Sequence, residues 1–195
     1  MYKESGIDAT VTEIKILVVI DADKLVEEIN QGKYPRNKTK DSPYPITHEN
    51  QYMLCADPYP DGVVNGQGTA DLEFRARKFD LVSFTGTSIH NNATNAVIIY
   101  HLEHNTGQQV FDLVGLRQRV YPLEAAAQPD PKQRDGMPAI HHPRSFEVLD
   151  TRITGTGTEN FWVCFGLYEL GHDRETQNLV GYYKWDPTVT TDLPK

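Results

Sequence analysis

Thr69-Ala-Asp-Leu-Glu-Phe-Arg-Ala76 alternates strictly, with Ala70, Leu72, Phe74 and Ala76 in one set and Asp71, Glu73 and Arg75 in the other. Successive side chains of a strand point to opposite faces, so this period of two describes a strand with one face on a core and one in water. The stretch decides the fold class because β-type segments recur on both sides of it. Upstream, Thr12 to Asp21 is rich in Ile and Val and reads as a largely buried strand, and Gln51 to Ala56 is a shorter candidate. Downstream follow Phe79 to Thr85, Ala96 to His104, Gln108 to Tyr121, Ser145 to Ile153, Asn160 to Leu170 and Leu179 to Trp185. Asn105-Thr-Gly107 is a tight-turn signature and predicts a hairpin between the Ala96 and Gln108 segments.

Helical patterning is confined to one place. Asp23 is placed to cap a short helix near residues 24–31, with Leu25, Val26 and Ile29 on one face and Asn30-Gln31-Gly32 stopping it. About nine strands, one short helix and frequent turn residues predict an all-β, two-sheet antiparallel β-sandwich, in one domain spanning residues 1–195. Two long Pro-bearing loops interrupt it, Gly32 to Asn50 and Pro122 to Pro138. Gly66-Gln-Gly-Thr69 and Gly155-Thr-Gly-Thr158 echo one another as strand entrances. A strand rather than a helix follows each, so they are turns and not nucleotide loops.

Charge narrows the partners. The chain carries 19 basic and 27 acidic side chains, a net −8, which repels a phosphate backbone and an anionic lipid surface alike. The longest apolar run, Ile14 to Ile20, contains Lys15 and falls far short of the roughly 20 residues of a membrane span. Neither nucleic acid nor membrane insertion is expected. The opening Met-Tyr-Lys-Glu-Ser-Gly does not read as a Sec signal, so cytoplasmic synthesis is expected, with non-classical release left open. Cys55 and Cys164 lie in apolar segments and read as buried thiols, a bridge between them being left open.

Chemistry-bearing patterns are sparse. The chain contains no Gly-x-Ser-x-Gly elbow, His-Glu-x-x-His pair or P-loop, which points away from an enzyme. The pairs His141/His142 and His101/His104 each project to opposite faces of a strand and do not share a metal. Asp21 and Asp23, at i and i+2 where a strand gives way to a loop, form a weak calcium candidate against the reading of Asp23 as a helix cap. No other cofactor is expected. The loops carry planar amides, carboxylates and aromatic rings, the set that pairs with vicinal hydroxyls and covers a sugar ring. Asp61, His90, Asn91, Asn92, Trp185 and Asp186 are the candidate ligand-binding residues, with ordinary turn chemistry as the competing reading. Asn37-Lys-Thr39 and Asn92-Ala-Thr94 match a glycosylation sequon by chance.

The order of motifs carries a resemblance. Ile16-Leu-Val-Val-Ile-Asp21, Gly66-Gln-Gly-Thr-Ala-Asp-Leu72, Gly86-Thr-Ser88 with Asn91-Asn92, and Ala96-Val-Ile-Ile-Tyr100 follow one another. Gly136-Met-Pro-Ala139 with His141, Gly157-Thr-Glu-Asn-Phe161 and Tyr183-Lys-Trp-Asp-Pro187 complete the series. From about residue 13 to residue 190 this resembles the PixA/AidA family of bacterial inclusion-body proteins. PixA is methionine-rich, whereas here only Met1, Met53 and Met137 occur, so the AidA branch is the closer comparison and methionine storage is not implied. The resemblance implies a small protein of host-associated bacteria, controlled by population density or growth phase. Some members accumulate as intracellular inclusions, one branch is linked to nematode killing, and lectin-like activity has been suspected for relatives. It supplies no catalytic residues.

Two functions are therefore expected in competition. One is a non-enzymatic binding protein directed at a host or cell surface, with lectin-like glycan recognition by loops at one end of the sandwich. The other is a self-associating inclusion-body or structural protein without a small-molecule ligand. A homo-oligomer is expected under either.

Overall fold

The computed structural model describes residues 12–56 and 59–191. The amino-terminal stretch read for a signal, and Asp57 and Pro58 of the turn after Ala56, lie outside the described residues. The alternating segments become β1 (Glu13–Ile20), β3 (Gln51–Ala56), β5 (Glu73–Ala76), β6 (Leu81–Ser88), β7 (Asn95–Gly107), β8 (Arg117–Gln128), β9 (Ile140–Arg152), β10 (Gly157–Leu170) and β11 (Gln177–Trp185). Short strands β2 (Tyr44–Pro45), β4 (Val63–Asn65) and β12 (Thr188–Thr191) bring the described total to twelve against the nine expected. β2 and β4 are too short to show a period of their own, and β12 offers only the four residues Thr-Val-Thr-Thr.

Five strands form one sheet in the order β3-β1-β6-β9-β8, and seven form the other. In the second sheet β10 is the spine. β7 runs along one of its edges, while β12 and β11 take successive stretches of the other, Gly157 to Asn160 and Val163 to Leu170. The buried side chains of both sheets merge into one core. Its centre is aromatic: Phe161 of β10 meets Phe111 at 4.8 Å, Phe84 of β6 at 6.1 Å and Phe74 of β5 at 6.5 Å between ring centroids, all edge-on. Burying one such side chain stabilises by about 1.5–3 kcal/mol.

The pairing departs from expectation in two respects. The sheets are mixed rather than antiparallel, because β1 runs parallel to β6, β2 to β11 and β5 to β12. Alternation marks a strand's dry face and is silent on its neighbour's direction. The hairpin expected across Asn105-Thr-Gly107 does not form. β7 continues through Gly107 against β10, and the chain then crosses to the five-stranded sheet, where β8 pairs with β9. Phe111, in a lone bridge with Ile153, plants that crossing in the core. β8 also runs through Pro122, shortening the loop expected there. Proline is tolerated because β8 is an edge strand with an irregular register between Tyr121 and Glu124.

The helix α1 (Ala22–Asn30) begins two residues before its expected start, with Asp21 rather than Asp23 as its cap. Asp21 Oδ1 accepts from the Lys24 N–H at 3.1 Å. This register buries Ala22, Leu25, Val26 and Ile29 together, the i, i+3, i+4, i+7 stripe of one helix face. Gly32, at φ 84°, turns the chain out of the helix. The loop that follows is strapped to the seven-stranded sheet: Tyr182 N–H donates to Asn37 O at 2.7 Å and Tyr183 Oη to Pro35 O at 3.0 Å. Cys55 and Cys164 are both buried thiols, with no disulfide between them.

The outer edge of β3 is closed. The side-chain amide of Gln67 accepts from Cys55 N–H at 3.0 Å and donates to Cys55 O at 2.9 Å, as a neighbouring strand would. One step along, Met53 exchanges bonds with Thr69 O and Gly68 N–H. The Gly66-x-Gly-Thr turn thus serves as a lid on a sheet edge, and Gly66 and Gly68 supply its positive φ angles.

Candidate functional site

The residues expected to bind a ligand fall into separate places. Asp61 stands with Tyr59, Arg75 and Arg77 in a cleft of about 150 Å³ beside β5. His90, Asn91 and Asn92 lie in the loop between β6 and β7, next to the start of α1, where Asp21, Asp23, Ser88 and His90 line a cleft of about 260 Å³. Asp23 there accepts from Asn95 Nδ2 at 2.5 Å and lies 3.0 Å from His90 Nδ1. With Asp21 capping the helix, the calcium candidates are engaged within the protein. Among the described residues no group of three or more His, Cys, Asp or Glu is placed to hold a metal ion.

Asn92 points inward. Its Oδ1 accepts from Ser88 N–H at 2.8 Å and Val97 N–H at 3.0 Å, and its Nδ2 donates to Val97 O at 3.1 Å. Asn91 and Asn92 have φ of 54° and 59°, a left-handed conformation that Asn adopts more readily than most residues.

Trp185 is 0% exposed, packed against Phe165 at 5.7 Å in the core, and offers no ring to a sugar. Its position was legible. In Tyr183-Lys-Trp185 the charged Lys184 marks the wet face, which puts Trp185 on the dry one. Asp186 belongs to a latch that joins three loops. Its Oδ1 meets His48 Nε2 at 3.0 Å, its Oδ2 accepts from Asn105 Nδ2 at 3.3 Å, and the other nitrogen of His48 is bonded to Asp71. Burial disfavours charge on His48, but the two carboxylates outweigh it and hold its pKa above the ordinary imidazole value.

A larger concavity than these lies elsewhere, on the outer face of the five-stranded sheet. It encloses about 700 Å³ between β3 and β1 on one side and the β8–β9 hairpin on the other. The register sets its floor: Leu54 lies beside Leu17, which lies beside Thr85, and Lys15 beside Ser83, which lies beside Asp150. One end is polar. Arg119 Nη2 lies 2.9 Å from Asp150 Oδ2 and 3.8 Å from Glu13 Oε1, and Ser83 Oγ donates to Glu13 at 2.9 Å. The Arg119–Asp150 contact is an ion pair whose angles fall short of a hydrogen bond, and Asp150 is buried beneath it. The other end is apolar: Leu17, Leu54 and Tyr121 line the cleft, and Tyr52 and Phe146 share their face of the sheet. These five are 37–44% exposed. With its charges already paired, such a surface is suited to burying apolar area against a partner. The signal lay in β1, where the outward positions run Glu13, Lys15, Leu17, Val19, polar at one end and apolar at the other.

Beyond that cleft the β8–β9 hairpin continues as an arm. The pairing of β6 with β9 stops at Leu149, so from Val148 to Ile140 the strand β9 has β8 as its sole strand partner among the described residues. No described side chain between Val120 and Glu147 is buried.

Comparison with known proteins gives a consistent assignment. A family model described as PixA, inclusion body protein, matches residues 12–191. The crystal structure of an inclusion body protein (PixA) from Burkholderia cenocepacia J2315 is similar at a TM-score of 0.75 and 24% identity, covering 95% of this chain and 99% of that one, a likeness of fold. The solution structure of Amebosin, at a TM-score of 0.24 and 11% identity over 77% of this chain and 100% of that one, carries no argument. No curated protein sequence matches. The family match does not separate out the AidA branch.

Proposed function

The chain belongs to the PixA family of inclusion body proteins, and we propose that it acts as a structural protein, by associating with copies of itself into intracellular inclusions. The β8–β9 arm carries this reading. Ordering a residue costs about 1–2 kcal/mol of backbone entropy, while a ladder hydrogen bond returns about 0.5–1.5 kcal/mol net. A two-stranded hairpin that buries no described side chain from Val120 to Glu147 is therefore marginal by itself and gains from a neighbour that covers it. Gln67 closes the edge of β3 at Cys55 and Asn92 that of β7 at Val97, whereas the outer edges of the β8–β9 arm carry no strand partner among the described residues.

Sedimentation velocity over a range of protein concentrations tests the proposal. The sedimentation coefficient is expected to climb with concentration for the full chain. It is expected to stay at the monomer value when residues 122–142 are replaced by an Asn-Gly turn. A constant monomer value for the full chain overturns the reading.

Lectin-like recognition through the polar loops is the other reading. Trp185 is withdrawn from it by burial, and Asp61, His90 and Asn91 remain as its exposed members, Asp61 in a cleft of its own. A glycan array with purified protein tests it, and a specific hit lost in the Asn91→Ala variant would favour it.

A further inference from the structure

We propose that the proton on His48 holds down the lid over the β3 edge, so that one imidazole sets how often this edge opens to a foreign strand. The device is contained in the single chain and is independent of self-association.

The ring stands between two acceptors. His48 Nδ1 is bonded to Asp71, and Nε2 meets Asp186 Oδ1 at 3.0 Å. An ionised carboxylate only accepts, so both contacts are hydrogen bonds only while both ring nitrogens carry a proton, which is the imidazolium. Neutral His48 has one N–H and keeps one carboxylate. These two are the charged groups that act on His48 from the elements packed against it, Asp71 from the turn before β5 and Asp186 from the turn after β11. Glu49, its neighbour on its own loop, is taken by Lys33 at 2.7 Å. Burial disfavours charge on the ring, yet the pair of carboxylates prevails and raises its pKa.

The two carboxylates are not held alike. Asp186 is 27% exposed and has a second donor, Asn105 Nδ2, at 3.3 Å. Asp71 is 69% exposed, where water replaces the ring at little cost. Loss of the proton therefore releases Asp71.

Asp71 closes the turn that forms the lid. Its N–H donates to Thr69 Oγ1 at 3.2 Å, and that hydroxyl donates to Gly66 O at 2.8 Å. The two ends of the turn touch, since a Cβ on Gly66 would fall 2.1 Å from Asp71 O. Movement at Asp71 is thus passed to Gly66-Gln-Gly-Thr69. Ala70 and Leu72 are buried and keep one end of the turn in the core, so release loosens the lid without detaching it. A loosened lid uncovers the N–H and C=O groups of Met53 and Cys55, alternate positions on one edge, which is the pattern an added strand pairs with.

Amide hydrogen exchange followed by NMR from about pH 5 to about pH 9 tests this, with the protonation of His48 read from its own ring resonances. Protection is taken relative to the intrinsic exchange rate at each pH. Protection of the Met53 and Cys55 N–H groups is expected to fall by about fivefold as His48 loses its proton, the factor that a partly exposed ion pair carries. Leu54 lies between them and is turned to β1, opposite Leu17, so its N–H is expected to hold its protection and to show the fold intact. His48→Gln offers its one amide nitrogen in place of a titrating ring, and Met53 and Cys55 are expected to stay at the lower level throughout. Protection that does not change across the His48 titration, a fall that Leu54 shares, or a fall that persists in His48→Gln overturns the inference. Sedimentation judges the self-association reading separately, whichever of these outcomes is found.

Discussion

The side-chain amide of Asn92 stands in for a missing strand beside Val97: Val97 N–H donates to its Oδ1 at 3.0 Å and Val97 O accepts from its Nδ2 at 3.1 Å. A residue expected to read a sugar instead completes the backbone of β7. Gln67 does the same for Cys55 on β3, in the other sheet. An edge whose N–H and C=O groups are already bonded does not recruit a foreign strand at that point.

Asn92→Ala leaves Val97 N–H, Val97 O and Ser88 N–H without this partner and places a Cβ-bearing residue without a polar side chain at a φ of 59°. A loss of about 1–3 kcal/mol in unfolding free energy is expected, read from the urea midpoint. An unchanged midpoint removes the structural role and returns Asn92 to the list of free ligands.

Gln67→Ala opens the β3 edge at Cys55. The expected outcome is twofold: a lower urea midpoint by about 1 kcal/mol, and amorphous or thioflavin-positive aggregation that the unsubstituted chain does not show. Ordered assembly without dye binding in this variant would show the edge to be harmless.

His48 makes part of the stability dependent on pH. Its pKa is raised in the folded protein by Asp71 and Asp186, against the effect of burial. Charged His48 therefore contributes fully below its unfolded pKa of about 6.5, and the contribution disappears as pH rises through the higher folded value. The difference in melting temperature between the unsubstituted chain and His48→Gln is expected to be largest near pH 5.5 and to shrink above neutrality. A difference that is flat with pH, or grows with it, contradicts the latch.

Glu159 is a carboxylate buried at the start of β10. Its Oε1 lies 2.8 Å from His104 Nδ1, and its Oε2 accepts from Val110 N–H at 2.5 Å and Phe111 N–H at 3.0 Å. Because Phe111 anchors the crossing between the sheets, Glu159→Ala is expected to cost about 3–5 kcal/mol, as for other broken buried charged networks. Glu159→Gln, which keeps one acceptor, is expected to cost less. Equal effects of the two, measured by chemical denaturation, would show that the charge rather than the acceptor geometry is what matters.

The amino-acid sequence by itself determined what is local. Alternation in Thr69 to Ala76 and in β1 marks strands and their dry faces, and Gly and Asn occupy most of the described positions with positive φ, Phe79 and Arg174 taking the others. The stripe Leu25, Val26, Ile29 shows a helix, although its start at Ala22 and its cap at Asp21 lie two residues before those read from the sequence. These features rest on side-chain direction and backbone sterics within a few residues.

The tertiary structure decided which strand lies beside which, and with that the surface. A period of two does not specify whether β7 joins β8 or β10, nor that β1 and β6 run parallel, because those choices are made by packing between segments tens of residues apart. The same packing buried Trp185, turned Asn92 into an edge closure and left Leu17, Leu54 and Tyr121 around one cleft with the arm beyond it. Alternation reports that a face exists, and the solvent or neighbour that meets this face is chosen by the whole fold.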